Sequence, residues 1–93
     1  MTAYTLTRTE YLEDHVEAEH VTCVPVAELG RDVGAGDHVD ARYRKNGNNL
    51  AFLGRLHESK KGMVMRIPGL ADLPITDIEI VGLVIGRQQV FRV

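Results

Sequence analysis

The side chains best suited to metal binding lie close together near the start of the chain. His15, His20 and Cys23 are separated by four and by two residues, and Glu19 stands between the two histidines. Structural zinc sites need four ligands, which come in closely spaced pairs. Because the sequence offers no second cluster of Cys or His to complete such a set, we expect no metal site and no cofactor.

The nucleophiles in the sequence lack the partners that catalysis needs. Ser59 is the only serine, and Lys60 follows it directly. Neighbouring side chains in a turn point in different directions, whereas a base must come within about 3 Å of the hydroxyl that it deprotonates. Cys23 has no second cysteine, so we expect a buried, unreactive thiol. His38 and His57 lie on predicted strands with no nucleophile nearby, so the sequence predicts no enzyme.

The spacing of Gly30, Gly34 and Gly36 is loosely that of a phosphate-binding loop. Such a loop ends in Gly-Lys-Ser or Gly-Lys-Thr and leads into a helix, and neither follows here. We therefore interpret these glycines as turn residues.

Length and composition favour one small globular domain over residues 1–93. A chain of this size can bury about 60% of its unfolded surface in a single core, and 44% hydrophobic with 26% charged residues is ordinary for a folded protein. The longest apolar runs are much shorter than the roughly 20 residues of a membrane span. No secretion signal is visible, and a lone cysteine is typical of a reducing compartment. We therefore expect a soluble, cytoplasmic protein.

Acidic and basic residues are separated along the chain although the net charge is only -2. Nine acids and two bases precede Arg42, whereas seven bases and one acid occupy residues 42–66. The two segments either pair within the fold or face solvent separately. The alternative is a basic surface for nucleic acid or an acidic partner. Its candidate residues are Arg42, Arg44, Lys45, Arg55, Lys60 and Lys61.

The start of the chain carries a local helix signal. Residues 7–10, Thr-Arg-Thr-Glu, fit a capping box, and Leu12 and Val16 follow at helical spacing. This pattern predicts one short helix to about Glu19. An extended start over residues 4–8 is the alternative.

Strands and turns then alternate at short intervals, which predicts a mostly β domain. Residues 21–26 have the β-branched density of a strand. Residues 38–44 alternate in polarity, and Asn46-Gly47 is a strong hairpin signal before a returning strand over residues 50–57. A further strand over residues 63–67 completes a three-stranded meander.

The segment from Ile78 to Ile85 carries apolar side chains on both faces of a predicted strand. Such a strand needs cover on two sides, so it lies either at the centre of the fold or against a second subunit. A bend at Gly86-Arg87 precedes a last predicted strand over residues 88–93. Leaving four such side chains in water forgoes roughly 6 to 12 kcal/mol, so we predict a two-fold homodimer. Its predicted interface residues are Ile80, Leu83, Val84, Val90 and Phe91.

Three segments together resemble a known family. They are residues 33–42 (VGAGDHVDAR), 52–56 (FLGRL) and 78–86 (IEIVGLVIG). They are similar to the C-terminal domain of LexA, UmuD and phage repressors, the self-cleaving serine–lysine peptidases. In that family a Gly-Asp turn opens a strand ending in Ala-Arg, and the terminal strand reads Ile-x-Gly-x-Val-x-Gly. The resemblance covers roughly the last two thirds of the chain and implies a small LexA-like β domain that dimerises.

The catalytic residues of that family are missing from this chain. Gly54 stands where the family carries its general-base lysine, and no serine precedes Ser59 to act as the nucleophile. Ala35-Gly36 is similar to the family's cleavage dipeptide but falls after the position of the nucleophile, so we expect no scissile bond there. The resemblance therefore implies a pseudo-peptidase: a module for dimerisation or protein interaction, in phage or SOS-type transcriptional regulation.

Two other functions stay open from the sequence. One is a small β-barrel that binds nucleic acid through the basic hairpin of residues 42–66, with Tyr43 and Phe52 as stacking aromatics. The other is a small phage-encoded inhibitor whose acidic first part imitates a polyanion. Salt-dependent DNA binding would favour the first of these, whereas co-purification with one protein partner would favour the inhibitor or the dimerisation module.

Overall fold

The computed structural model describes residues 2–92, with side chains for residues 2–90. Within these residues the chain forms seven strands in one antiparallel sheet, which confirms the prediction of a mostly β domain. The strands are β1 (Tyr4–Tyr11), β2 (Val16–Pro25), β3 (His38–Lys45), β4 (Asn48–Ser59), β5 (Gly62–Arg66), β6 (Leu73–Pro74) and β7 (Ile78–Arg92). Single 3₁₀ turns occur at Val26–Glu28 and Ile75–Asp77. None of the described helical segments is long and apolar enough to cross a membrane.

The predicted N-terminal helix is wrong, because these residues form the β1–β2 hairpin. The two strands pair from Tyr4 opposite Cys23 to Tyr11 opposite Val16. Only two apolar residues at helical spacing supported the helix, whereas threonines at alternate positions of β1 favour a strand. Arg8 also lies opposite Glu19, and such opposite charges stabilise a strand pair. Pairing between residues far apart in sequence thus overrides the capping signal, and the extended alternative is correct.

The predicted meander is confirmed as β3, β4 and β5, which are neighbours in the sheet. Asn46 and Gly47 both have positive φ, of 53° and 78°. These values fit a two-residue turn that matches the right-handed twist of the flanking strands. The turn fixes the register of β3 against β4, with Lys45 opposite Asn48.

The strand order is β1-β2-β7-β3-β4-β5-β6, so β7 lies between β2 and β3. β7 is 15 residues long and continues through the predicted bend. Its pairing shifts at three places, which leaves Val81, Ile85 and Val90 without an opposite residue. Such β-bulges increase the local twist. β7 therefore pairs with both β2 and β3, although its side chains do not alternate strictly between the two faces of the sheet.

Buried side chains lie on both faces of β3. On one face an apolar core contains Val39, Ala41, Leu56, Met65 and Ile67. Asp40 lies between Val39 and Ala41 and therefore points to the other face, where it approaches Tyr4 of β1. Cys23 is fully buried opposite Tyr4.

Candidate functional site

A buried carboxylate lies at the centre of the sheet. Asp40 is only 1% exposed. The Tyr4 hydroxyl donates to its Oδ2 at 2.7 Å, and the Arg42 guanidinium forms an ion pair with its Oδ1. Burial raises the pKa of Tyr4, and the hydrogen bond to Asp40 raises it further. Both partners compensate a charge that is costly to bury, so Arg42 of the predicted basic surface belongs to the framework of the sheet.

The other five residues of the predicted basic surface are not brought together. The Arg55 guanidinium donates to the Gly36 carbonyl at 2.8 Å. Arg44 and Lys45 flank the β3–β4 turn, whereas residues 60–61 form the β4–β5 turn. The 12 residues of β4 separate these two turns, by up to roughly 36 Å at about 3.3 Å per residue. The structure therefore has two small basic turns at opposite ends of one strand.

The predicted dimer residues divide into covered and open positions. Ile80 packs against the apolar core, Leu83 pairs with β2 on one side and β3 on the other, and Val84 is half-buried. Val90 is 45% exposed. The side chain of Phe91 lies outside the described part of the chain. The N-terminal half of β7 is thus covered by its own sheet, and what remains open lies further along the strand.

The second half of β7 has a free edge. β3 pairs with β7 only from Ile78 to Leu83, whereas β2 pairs with it as far as Arg92. Among residues 2–92, none pairs with the β3-facing side of β7 beyond Leu83. Backbone N–H and C=O groups on such an edge can bind another strand. Ile85 and Val90, 58% and 45% exposed, lie on this stretch. We call residues 84–92 of β7 the open edge.

A groove of about 500 Å³ runs beside the start of the open edge. Its other side is formed by Arg31, Asp37, His38 and Arg55, and we call it the cationic groove. Arg31 and Asp37 form an ion pair at 2.8 Å. In the described structure Arg55 has no carboxylate partner. Burial lowers the pKa of His38, and nearby Arg87 lowers it further, so the imidazole is neutral at pH 7. The unbalanced charge of the groove is therefore positive.

A charged network ties β1, β2 and β7 together at Arg87, which also lines the cationic groove. Glu19 forms ion pairs with Arg87 at 2.6 Å and with Arg8 at 3.8 Å. The hydrogen bond from Arg87 holds the pKa of Glu19 below its ordinary value. This network anchors the β1–β2 hairpin to the strand that carries the open edge.

Several other chemistry-bearing residues take part in local structure. His15 contacts the carboxylates of Asp14 and Glu17, whereas His20 contacts the Thr7 hydroxyl. No three potential metal ligands come together within the described residues. Burial raises the pKa of the Cys23 thiol, which leaves it protonated and a poor nucleophile.

The Ser59 hydroxyl closes the β4–β5 turn. It donates to the Gly62 carbonyl at 2.7 Å and accepts from the Lys61 N–H at 3.2 Å. The glycine-rich loop is closed by Asp37, whose carboxylate accepts from the Gly34 N–H at 2.9 Å. These groups are already satisfied by their own turns.

At Gly54 the backbone of β5 comes unusually close to β4. A Cβ there would lie 2.7 Å from the Arg66 carbonyl oxygen and 2.9 Å from Met65 Cε. The position therefore has no room for a side chain of any kind without movement of the backbone.

Reasoning from the sequence missed both the Tyr4–Asp40 contact and the open edge. A carboxylate between Val39 and Ala41 on a strand is a detectable signal for a buried, partnered acid. The open edge has no such signal, because it depends on how far β3 extends along β7.

Comparisons with family models, with curated proteins and with solved structures gave no match to this chain.

Proposed function

We propose that this chain is a non-catalytic, LexA-like β domain that works as a homodimerisation module through the open edge of β7. The supporting observation is that the open edge combines an unpaired strand backbone with two exposed apolar side chains, Ile85 and Val90. A second copy of the same edge, running antiparallel, would satisfy the backbone groups and bury these side chains. The resulting interface is isologous and closes with two-fold symmetry.

The packing at Gly54 supports the non-catalytic part of this proposal. In the family that the sequence resembles, this position carries the general base. Here the Arg66 carbonyl oxygen occupies the space that the first side-chain carbon would need. A lysine at this position would require β4 and β5 to separate.

The resemblance also suggests where such a module acts. Dimerisation domains of this kind bring together two copies of a regulator, and we place this chain in phage or SOS-type transcriptional regulation in the cytoplasm. Other proteins of the same regulatory system are further candidate partners for the open edge. Nucleic acid is a less favoured partner, because the two basic turns lie at opposite ends of β4.

Sedimentation equilibrium at micromolar concentrations tests the proposal. We expect a species of twice the 10.3 kDa chain mass. The double variant Ile85→Lys/Val90→Lys should be monomeric, because charges on an edge strand oppose strand addition. Leu70→Lys is the matched control: its side chain is 55% exposed but lies in the loop between β5 and β6, so its dimer should persist.

Two results would contradict the proposal. One is a single 10.3 kDa species at every concentration of the unmodified chain. The other is a dimer that survives both lysines on the open edge, since that dimer would use another surface.

A further inference from the structure

The turn of the β1–β2 hairpin and the basic β3–β4 turn lie at opposite ends of β7. Glu17 is opposite Arg92 at one end of the strand, and Tyr43 is opposite Ile78 at the other. The β1–β2 hairpin therefore ends beside the last residues of β7, and the β3–β4 hairpin ends beside the first. We call residues 10–17 the acidic tip; its carboxylates belong to Glu10, Glu13, Asp14 and Glu17.

Antiparallel pairing of two open edges would bring the acidic tip of one copy to the cationic groove of the other. The Arg92 end of one β7 would lie beside Val84 of its partner strand. At this position the end of β7 in the first copy faces the start of β3 in the second copy. The cationic groove opens at that place, since it is lined by His38, Arg55 and the start of the open edge. β2 is the neighbour of β7, and its Glu17 lies opposite Arg92, so the acidic tip would lie beside this end of β7.

The charges of the two surfaces are available for such a contact. Glu10 and Glu13 are exposed and form no ion pair in the described structure, and the side chain of Asp14 is 85% exposed. Arg55 is exposed, and its guanidinium donates to a backbone carbonyl and to no carboxylate among the residues that the structure describes. Two-fold symmetry would form each contact twice.

We infer that the acidic tip of each copy docks on the Arg55 side of the other copy's cationic groove, beside the paired end of β7, so that the dimer is held by charge as well as by strand pairing. This inference rests on the proposed dimerisation through the open edge and identifies the second surface that takes part. It predicts that dimerisation weakens as the salt concentration rises. It also predicts that two variants with opposite charge reversals dimerise with each other when they are mixed.

The salt dependence can be measured directly on the unmodified chain. We expect the dissociation constant of the dimer to rise about tenfold between about 50 mM and about 500 mM NaCl, because exposed ion pairs are screened. Lys45→Glu is the matched control: it reverses a charge on the β3–β4 turn, away from the contact, and should leave this dependence unchanged.

Charge reversal gives the sharper test. Glu10→Lys/Glu13→Lys and Arg55→Glu should each weaken the homodimer about tenfold or more. Mixed together, the two variants should form a heterodimer of normal affinity, because reversed tip then meets reversed groove and native tip meets native groove. Arg55→Gln, which keeps a donor for the Gly36 carbonyl, separates the loss of charge from a disturbed loop and should weaken the dimer less than Arg55→Glu.

The outcomes distinguish this inference from the proposed function. A dimer of the unmodified chain that ignores salt and both reversals overturns the inference and leaves the dimerisation module standing. Weakening by both reversals without recovery on mixing also overturns it, since the two surfaces would then not meet. A monomeric unmodified chain overturns both.

Discussion

The hydroxyl of Tyr4 is a single polar atom that links the first strand to the centre of the sheet. It donates to the buried carboxylate of Asp40 at 2.7 Å. Tyr4→Phe removes this donor and leaves Asp40 with Arg42 as its partner among the described residues. We expect a loss of about 1 to 3 kcal/mol in the free energy of unfolding, because a buried acceptor loses its partner.

Urea unfolding at one fixed protein concentration measures this effect. Tyr11→Phe is the control, since Tyr11 is 81% exposed and should change stability by less than about 0.5 kcal/mol. Equal losses in the two variants would show that the Tyr4 hydroxyl does not stabilise the fold.

Gly82 lies directly beneath the same tyrosine. A Cβ at this position would lie 2.0 Å from the Tyr4 hydroxyl oxygen and 2.9 Å from Cζ. Gly82→Ala should therefore cost about 1 to 3 kcal/mol by overpacking. Gly86→Ala, on the same strand but with nothing within 4 Å of its Cβ, should be nearly neutral.

The cause can be separated from a general glycine effect by a double-mutant cycle. In the Tyr4→Phe background the atom closest to the new methyl group is gone, so Gly82→Ala should cost less there than in the native chain. Strictly additive losses would contradict direct contact between these two residues.

At the scale of strands, local signals predicted some elements and failed for others. The β3–β4 hairpin was predictable because its turn needs two residues with positive φ, and Asn46-Gly47 supplies them. β1 was not, because its strand pairing with residues 16–23 competes with a capping box contained within four residues. The place of β7 between β2 and β3 rests on pairings such as Glu17 with Arg92, for which no short sequence pattern exists.

The same limits apply to the candidate site. The sequence indicated that the C-terminal strands carry an interaction surface, and the exposure of Val90 is consistent with that indication. It also grouped six basic residues by their closeness along the chain. This grouping fails because β4 is 12 residues long and holds the basic residues at its two ends far apart.

The separation of the basic turns predicts that the chain does not bind nucleic acid. Arg44 and Lys45 on one turn and residues 60–61 on the other cannot neutralise neighbouring phosphates together. In fluorescence anisotropy at about 50 mM salt, we expect no binding of DNA or RNA oligonucleotides. Binding whose salt slope falls by about 0.7 to 0.9 for each lysine or arginine removed would contradict this prediction and favour a nucleic-acid function.

At the scale of the whole molecule, stability should fall as the solution is acidified. The pKa of His38 is lowered from 6.5, chiefly by burial, so the unfolded chain takes up a proton before the folded chain does. The pKa values of Glu19 and Asp37 are lowered from 4.5 and 3.8 by Arg87 and Arg31 respectively. Each of the three groups stabilises the fold at pH values above its ordinary pKa, and this contribution to the free energy of unfolding is lost as the pH falls below that pKa.

Thermal melts across the pH range measure this dependence. We expect the melting temperature to be level near pH 7, to decline below about pH 6.5, and to decline again in the range where carboxylates titrate. His38→Gln should remove the first decline and keep the second. A melting temperature that rises between about pH 6.5 and pH 5 would contradict the sign of the His38 effect.

Because β7 follows the other six strands in sequence, its position in the sheet also determines which strands are without a partner during synthesis. β1–β2 and β3–β4–β5 are two separate groups of paired strands, and in the sheet they meet only through β7. During translation both groups leave the ribosome before the strand that joins them. Until β7 is made, the edges of β2 and β3 that it later joins have no strand to pair with, and they are open to aggregation or chaperone binding.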